Sequence, residues 1–159
     1  MSESSFTKVS VVGVRVEMPS NQPIILLQDE SQQKYLPIWV GAVEATAIAF
    51  AQQGVVPARP LTHDLFTDTL KVFKQQLVEV RITALRDGIF YAELDFGQAQ
   101  ILSARPSDAI ALALKSDCPI YVATDVLNSA AIEVPAEEED ELEKFKEFLD
   151  QVNPDDFKS

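Results

Sequence analysis

Cysteine occurs once in the 159 residues, as Cys118, so no disulfide can form within the chain. Only five glycines are present, and no glycine-rich run leads into Lys-Ser or Lys-Thr, which removes the usual phosphate-cradling loops of nucleotide-binding proteins. The single histidine, His63, excludes any mechanism that needs two imidazoles from one chain. Basic residues are scarce as well: 13 Lys and Arg against 25 Asp and Glu leave a net charge of −12. Phosphate affinity rests on Lys and Arg displacing counterions, so most of this surface repels nucleic acid and any contact with it is local. Apolar runs are strand-sized, short of the ~20 residues that cross a bilayer. The opening Met1 to Phe6 has neither the basic nor the apolar region of a signal peptide, so the expectation is a cytoplasmic chain with no membrane span.

What is present is a near-repeat. Leu36-Pro-Ile-Trp-Val-Gly-Ala-Val-Glu-Ala-Thr-Ala-Ile-Ala-Phe50 is echoed by Ile101-Leu-Ser-Ala-Arg-Pro-Ser-Asp-Ala-Ile-Ala-Leu-Ala-Leu114. Each copy runs an extended apolar stretch through a turn into an Ala-rich helix with one carboxylate in its first turn, Glu44 or Asp108. Helix starts expose unpaired N–H groups at a positive end, so polar residues there are candidates for ligand contact.

Elsewhere, Val-rich alternation predicts a strand over Val9 to Met18 with a bulge near Val11-Val12-Gly13. Strands are predicted over Ile24 to Gln28 and Lys34 to Val40, followed by a helix over Ala42 to Gln53 that Gly54 ends. Thr62 is expected to cap a second helix reaching about Gln75. Leu77 to Leu85 and Ile89 to Phe96 read as a hairpin around Arg86-Asp87-Gly88, with a further strand over Ala99 to Ala104. A third helix to about Lys115 and a short strand over Pro119 to Ala123 follow. After Pro135 the composition changes: Glu137 to Val152 places Leu142, Phe145, Leu149 and Val152 on one stripe among acids, the pattern of an amphipathic helix. From Glu133 onward there are 11 acidic and 3 basic residues, a net of −8. The division is therefore a domain over 1–132 and an acidic helix and tail over 133–159.

His63 sits where the loop Arg59-Pro-Leu-Thr-His-Asp64 enters a helix, a place where the positive helix end favours a neutral ring able to act as base or ligand, or where a histidine simply caps. Asp64 and Asp68 share one helix face at a spacing that suits a shared cation, although carboxylates in first turns also serve the helix dipole. Arg105, Ser107 and Asp108 combine guanidinium, hydroxyl and carboxylate at a helix start with Pro106 in the first turn. Such a junction can bind phosphate, or Arg105 can pair with Asp108, Asp64 or Glu44 and leave the cluster structural. Cys118, with no histidine or second cysteine nearby in sequence, is not expected to be a nucleophile.

Leu36-Pro-Ile-Trp-Val-Gly41 with Glu44, Arg59-Pro-Leu-Thr-His-Asp64, Asp87-Gly-Ile-Phe-Tyr-Ala92 and Ser103-Ala-Arg-Pro-Ser-Asp-Ala-Ile-Ala-Leu112 together resemble the bifunctional nuclease domain family, over about Val9 to Ile132. The resemblance implies a mixed α+β fold that self-associates and cleavage of RNA and DNA. On this sequence the matching positions are Glu44, Arg59, His63, Asp64, Arg105, Ser107 and Asp108. The expected fold is a single α+β domain, an antiparallel-rich mixed sheet with Ala-rich helices packed on it, plus the acidic C-terminal helix. The expected roles are phosphate binding by Arg59, Arg105 and Ser107, and proton transfer by His63. Glu44, Asp64 and Asp108 would orient it or hold Mg²⁺ or Mn²⁺. Expected partners are RNA or DNA in transient contact, a second copy through Trp39, Val40 and the small-residue helix faces, and a protein met by the C-terminal helix. Two other readings use the same motifs: a non-catalytic module binding a small anion or a protein partner, and a small-molecule hydrolase. If the motifs form one site, Glu44, Arg59, His63, Asp64, Arg105 and Asp108 converge, within one chain or across subunits.

Overall fold

Alternating valines extend the chain from Phe6 to Glu17 as β1, which pairs antiparallel with β2 (Gln22–Asp29). The ladder slips between Val11 and Gly13, where the bulge was expected. β3 (Lys34–Trp39) closes this meander and leads into helix α1 (Ala42–Gln53). The computed structural model describes residues 5–31 and 33–133, so the amphipathic segment expected over Glu137 to Val152 lies outside the described residues.

After α2 (Thr62–Val72) the same unit is built again: β4 (Glu79–Arg86), β5 (Ile89–Asp95) and β6 (Ile101–Ala104) form a second antiparallel meander that runs into α3 (Pro106–Ser116). Its first strand is also bulged, between Ile82 and Ala84. The β4–β5 hairpin turns on Asp87 and Gly88 at φ 52° and 77°, the doubly left-handed turn for which Asp-Gly is suited. The sequence echo is thus a repeated strand-strand-strand-helix unit. β7 (Ile120–Ala123) joins the halves, parallel to β4 and antiparallel to β1. Among the described residues the sheet has eight strands in the order β6-β5-β4-β7-β1-β2-β3-β8, with β8 (Ile132–Glu133) beside β3.

α1 packs over β1 and β2, α3 over β4 and β5, and the two helices touch along the seam between the halves. Ala45, Ala47, Ala109, Ala111 and Ala113 are buried, and side chains this small bring the backbones close. Ile25, Leu27, Leu36, Ile48, Ile82, Leu94, Ile110 and Val122 fill the core between helices and sheet.

Several boundaries depart from expectation. Leu61, not Thr62, is the N-cap of α2, because Asp64 reaches back to accept the Leu61 N–H at 3.0 Å and supplies the cap three residues downstream. That helix ends at Val72 rather than Gln75, and Lys74 takes a left-handed φ of 57°. A fourth helix, α4 (Thr124–Ala130), was not expected. The Thr124 N–H donates to the Ser5 carbonyl at 2.9 Å, and Lys34 donates to Asn128 at 2.8 Å, so α4 is tied to the chain just before β1 and to the start of β3. Val40 is buried, which removes it from any surface contact, whereas Trp39 is half exposed. Among the described residues no helix is long and apolar enough to cross a membrane.

Candidate functional site

The two repeats place their helix starts side by side, and α2 brings a third. Glu44 stands in the first turn of α1, His63 and Asp64 in that of α2, and Arg105 is the N-cap of α3 with Asp108 in its first turn. The side chains of Glu44, Arg105, Asp108 and His63 form one chain of contacts. His63 Nε2 lies 2.9 Å from Asp108 Oδ1, Arg105 Nε donates to Asp108 Oδ2 at 2.9 Å, and Arg105 Nη2 lies 3.1 Å from Glu44 Oε1. A carboxylate only accepts, so Nε2 carries the proton in the His63–Asp108 bond and Nδ1 is the lone-pair nitrogen of the neutral ring. The imidazole is largely buried and the Arg105 side chain is 63% exposed, so the chain runs from the interior to the surface.

Burial of Asp108 opposes its charge, but the hydrogen bonds from Arg105 and His63 outweigh it and hold its carboxyl below the usual range. The same bond to Asp108, seconded by Glu44, raises Arg105 further above its already high value. Gly41 makes this geometry possible. A β-carbon there would collide with the Glu44 carboxylate, which folds back over the turn towards Arg105.

Asp64 faces elsewhere. Its Oδ1 receives Lys115 Nζ at 2.5 Å and its Oδ2 the Leu61 N–H, and the Lys115 bond chiefly holds its carboxyl below the usual range. Lys115 was not singled out from the sequence. It lies seven residues beyond Asp108, on the same helical face, and that spacing is the signal that could have shown it. The start of α2 is therefore fastened to α3 twice, by His63 near its beginning and by Asp64 near its end.

Glu44, His63, Arg105 and Asp108 thus converge within a single chain, and Asp64 is next to them but paired separately. Arg59 is exposed on the loop before α2 and makes no ion pair among the described residues. Ser107 is buried in the first turn of α3. Asp68 is exposed on α2, and the ion pair of Asp64 is with Lys115. Burial pushes the Cys118 thiol up to about 11, which suits an inert side chain.

Among the described residues no three His, Cys, Asp or Glu side chains are placed to hold one metal ion. The donor chemistry explains it: the Arg105 guanidinium bridges Glu44 to Asp108, and Lys115 neutralises Asp64. In this arrangement Glu44, Asp64 and Asp108 are each paired with a cationic side chain, and the chemistry below uses this chain's own groups.

The sequence profile of the bifunctional nuclease domain family matches residues 25–135, well over half of the chain and the stretch that holds every residue of the contact chain. Two curated proteins of Mycobacterium tuberculosis, one in strain CDC 1551 / Oshkosh and one in strain ATCC 25618 / H37Rv, are each 52% identical to this chain over 161 aligned positions. The alignments cover 96% of this chain and 98% of each relative, and both relatives carry the name uncharacterized protein.

Proposed function

The chain belongs to the bifunctional nuclease domain family, and from this we propose that it hydrolyses phosphodiester bonds of RNA and DNA at the His63–Asp108 pair. The observation that carries the reading is the 2.9 Å contact of His63 Nε2 with Asp108, itself held by Arg105 on its other oxygen. A carboxylate on one ring nitrogen fixes the tautomer and stabilises the imidazolium that forms when the other nitrogen takes a proton. In this reading His63 Nδ1 removes a proton from water as the water oxygen bonds to phosphorus. The ester P–O bond then breaks, and the leaving oxygen takes its proton from solvent, since one chain offers one imidazole. Arg105, through the N–H groups not used by Glu44 and Asp108, and Arg59 hold the phosphate oxygens together with the first-turn N–H groups at Ser107 and Asp108. Glu44 positions Arg105, and Asp64 with Lys115 positions the first turn of α2.

Cleavage of end-labelled RNA and DNA oligonucleotides by purified wild type and Asp108→Asn protein tests the assignment. The variant is expected to lose activity by ~10²-fold or more, the scale of general acid/base catalysis. Running both proteins with EDTA and with added Mg²⁺ or Mn²⁺ tests the metal expectation separately.

A second reading is favoured by the pairing of each carboxylate with a cation: a non-catalytic module that binds a small anion at Arg105 or a protein partner. Wild type that binds inorganic phosphate in calorimetry and cleaves neither oligonucleotide supports the module. We also propose self-association, supported by the exposed Trp39 and Val43 beside the α1 start, and contact of the acidic segment with a protein rather than with nucleic acid. Sedimentation and pull-down with the full chain test these.

A further inference from the structure

An open cleft of about 470 Å³ lies between the end of α1, the loop that follows it, α2 and the end of α3. Its apolar lining is formed by Val55, Val56, Pro60 and Leu114, and Val56 is 87% exposed. Asp64, Asp68, Lys71 and Lys115 line the same cleft. These four charges sum to zero, and Asp64 and Lys115 neutralise each other directly, so the cleft has no field that would draw in a phosphate. Asp68 and Lys71 are exposed, and they offer an acceptor and a donor one turn apart on α2.

The geometry points to a nucleoside-binding subsite in this cleft, taking the uncharged base and sugar next to the scissile phosphate. A lining that combines apolar side chains with donors and acceptors matches a planar heterocycle that is apolar on its faces and polar at its edges. The place is consistent with that ligand. Asp64 lines the cleft and follows His63 in the chain, and the loop that forms the rim carries Arg59. This adjacency in the chain is what ties the cleft to a phosphate bound by Arg59 and His63 in the proposed site. This assignment of substrate class rests on the phosphodiesterase reading. Among the described residues no lining side chain is aromatic, so the base gains no ring stacking from them and binding is weak, with a dissociation constant of ~1 mM.

The test is a titration of the ¹⁵N-labelled full chain with adenosine, guanosine, cytidine and uridine, which carry no phosphate, followed by amide chemical shifts. Saturable shifts confined to the loop after α1, to Thr67 through Lys71 and to Leu114 and Lys115 are expected. Exchanging both Asp68 and Lys71 for Ala should weaken binding about fivefold or more, the worth of about one hydrogen bond, while the thermal melt stays in place because both side chains are exposed. In cleavage assays the same variant should raise KM and leave kcat unchanged. No shifts, shifts spread over other surfaces, undiminished affinity in the double variant, or displacement of the nucleoside by inorganic phosphate would each overturn the subsite. Nucleoside binding by a protein that cleaves nothing would remove the phosphodiesterase and keep the subsite. Cleavage without nucleoside binding would do the reverse.

Discussion

Gly41 acts through what it lacks. Its backbone is at φ −77°, open to any residue, but a β-carbon would displace the Glu44 carboxylate from Arg105. Gly41→Ala is therefore expected to cost little stability and to lower cleavage by loosening Arg105; a variant with unchanged cleavage kinetics would show that Glu44 is not needed there. Asp64 gives a pH-dependent expectation. Its carboxyl is depressed in the folded state, first by the Lys115 hydrogen bond, so its contribution is complete above the unfolded value of ~3.9 and is lost as pH falls through the lower folded value. Asp64→Asn should destabilise by about 1 kcal/mol near neutrality, a small figure because solvent still reaches and screens this half-buried pair, and the difference should shrink below about pH 4. Urea denaturation of both proteins across that range checks the sign, and a gap that widens on acidification contradicts it. At this scale the polar motifs were legible from their residue types, but the partners were not. Nothing local tells Asp64 to choose Lys115 over a cation shared with Asp68, because that choice depends on how α2 crosses α3.

Elements were legible where they carry strong local signals. The Ala-rich helices α1 and α3, the β1 bulge and the Asp-Gly hairpin follow from small-residue runs, a phase slip and turn chemistry. α4 was missed because Thr124 to Ala130 is two turns long, too short for periodicity to show, and its anchors at Ser5 and Lys34 are distant in sequence. The position of β7 between β4 and β1 was equally hidden, since parallel pairing is non-local. The buried face of α3 makes a stability prediction. Ala109 is fully buried in the first turn of α3, and Ala109→Leu should overpack the core around it and cost ~1–3 kcal/mol in denaturant unfolding. A variant as stable as wild type would mean that the core yields around α3 without loss.

On the scale of the whole molecule, the repeated meander and helix explain why the site exists in one chain: each half delivers one carboxylate to the seam, and Arg105 joins them. Charge is distributed against nucleic acid. A chain truncated after Glu133 loses 10 acidic and 3 basic residues, a segment of net charge 3 − 10 = −7, so its own net charge rises by 7 and it should bind oligonucleotides more tightly at low salt. The gain should fade at 0.1 M salt and above, where the Debye length is ~10 Å or less. Affinity unchanged across a salt series would reject the electrostatic role of the segment. The central claim is that His63 transfers a proton. Wild type and His63→Ala protein, purified identically, are compared for single-turnover cleavage of one RNA and one DNA oligonucleotide, with circular dichroism confirming the fold. The expected result is a loss of ~10²-fold or more on both substrates with the melt unchanged; equal cleavage by the two proteins would contradict it.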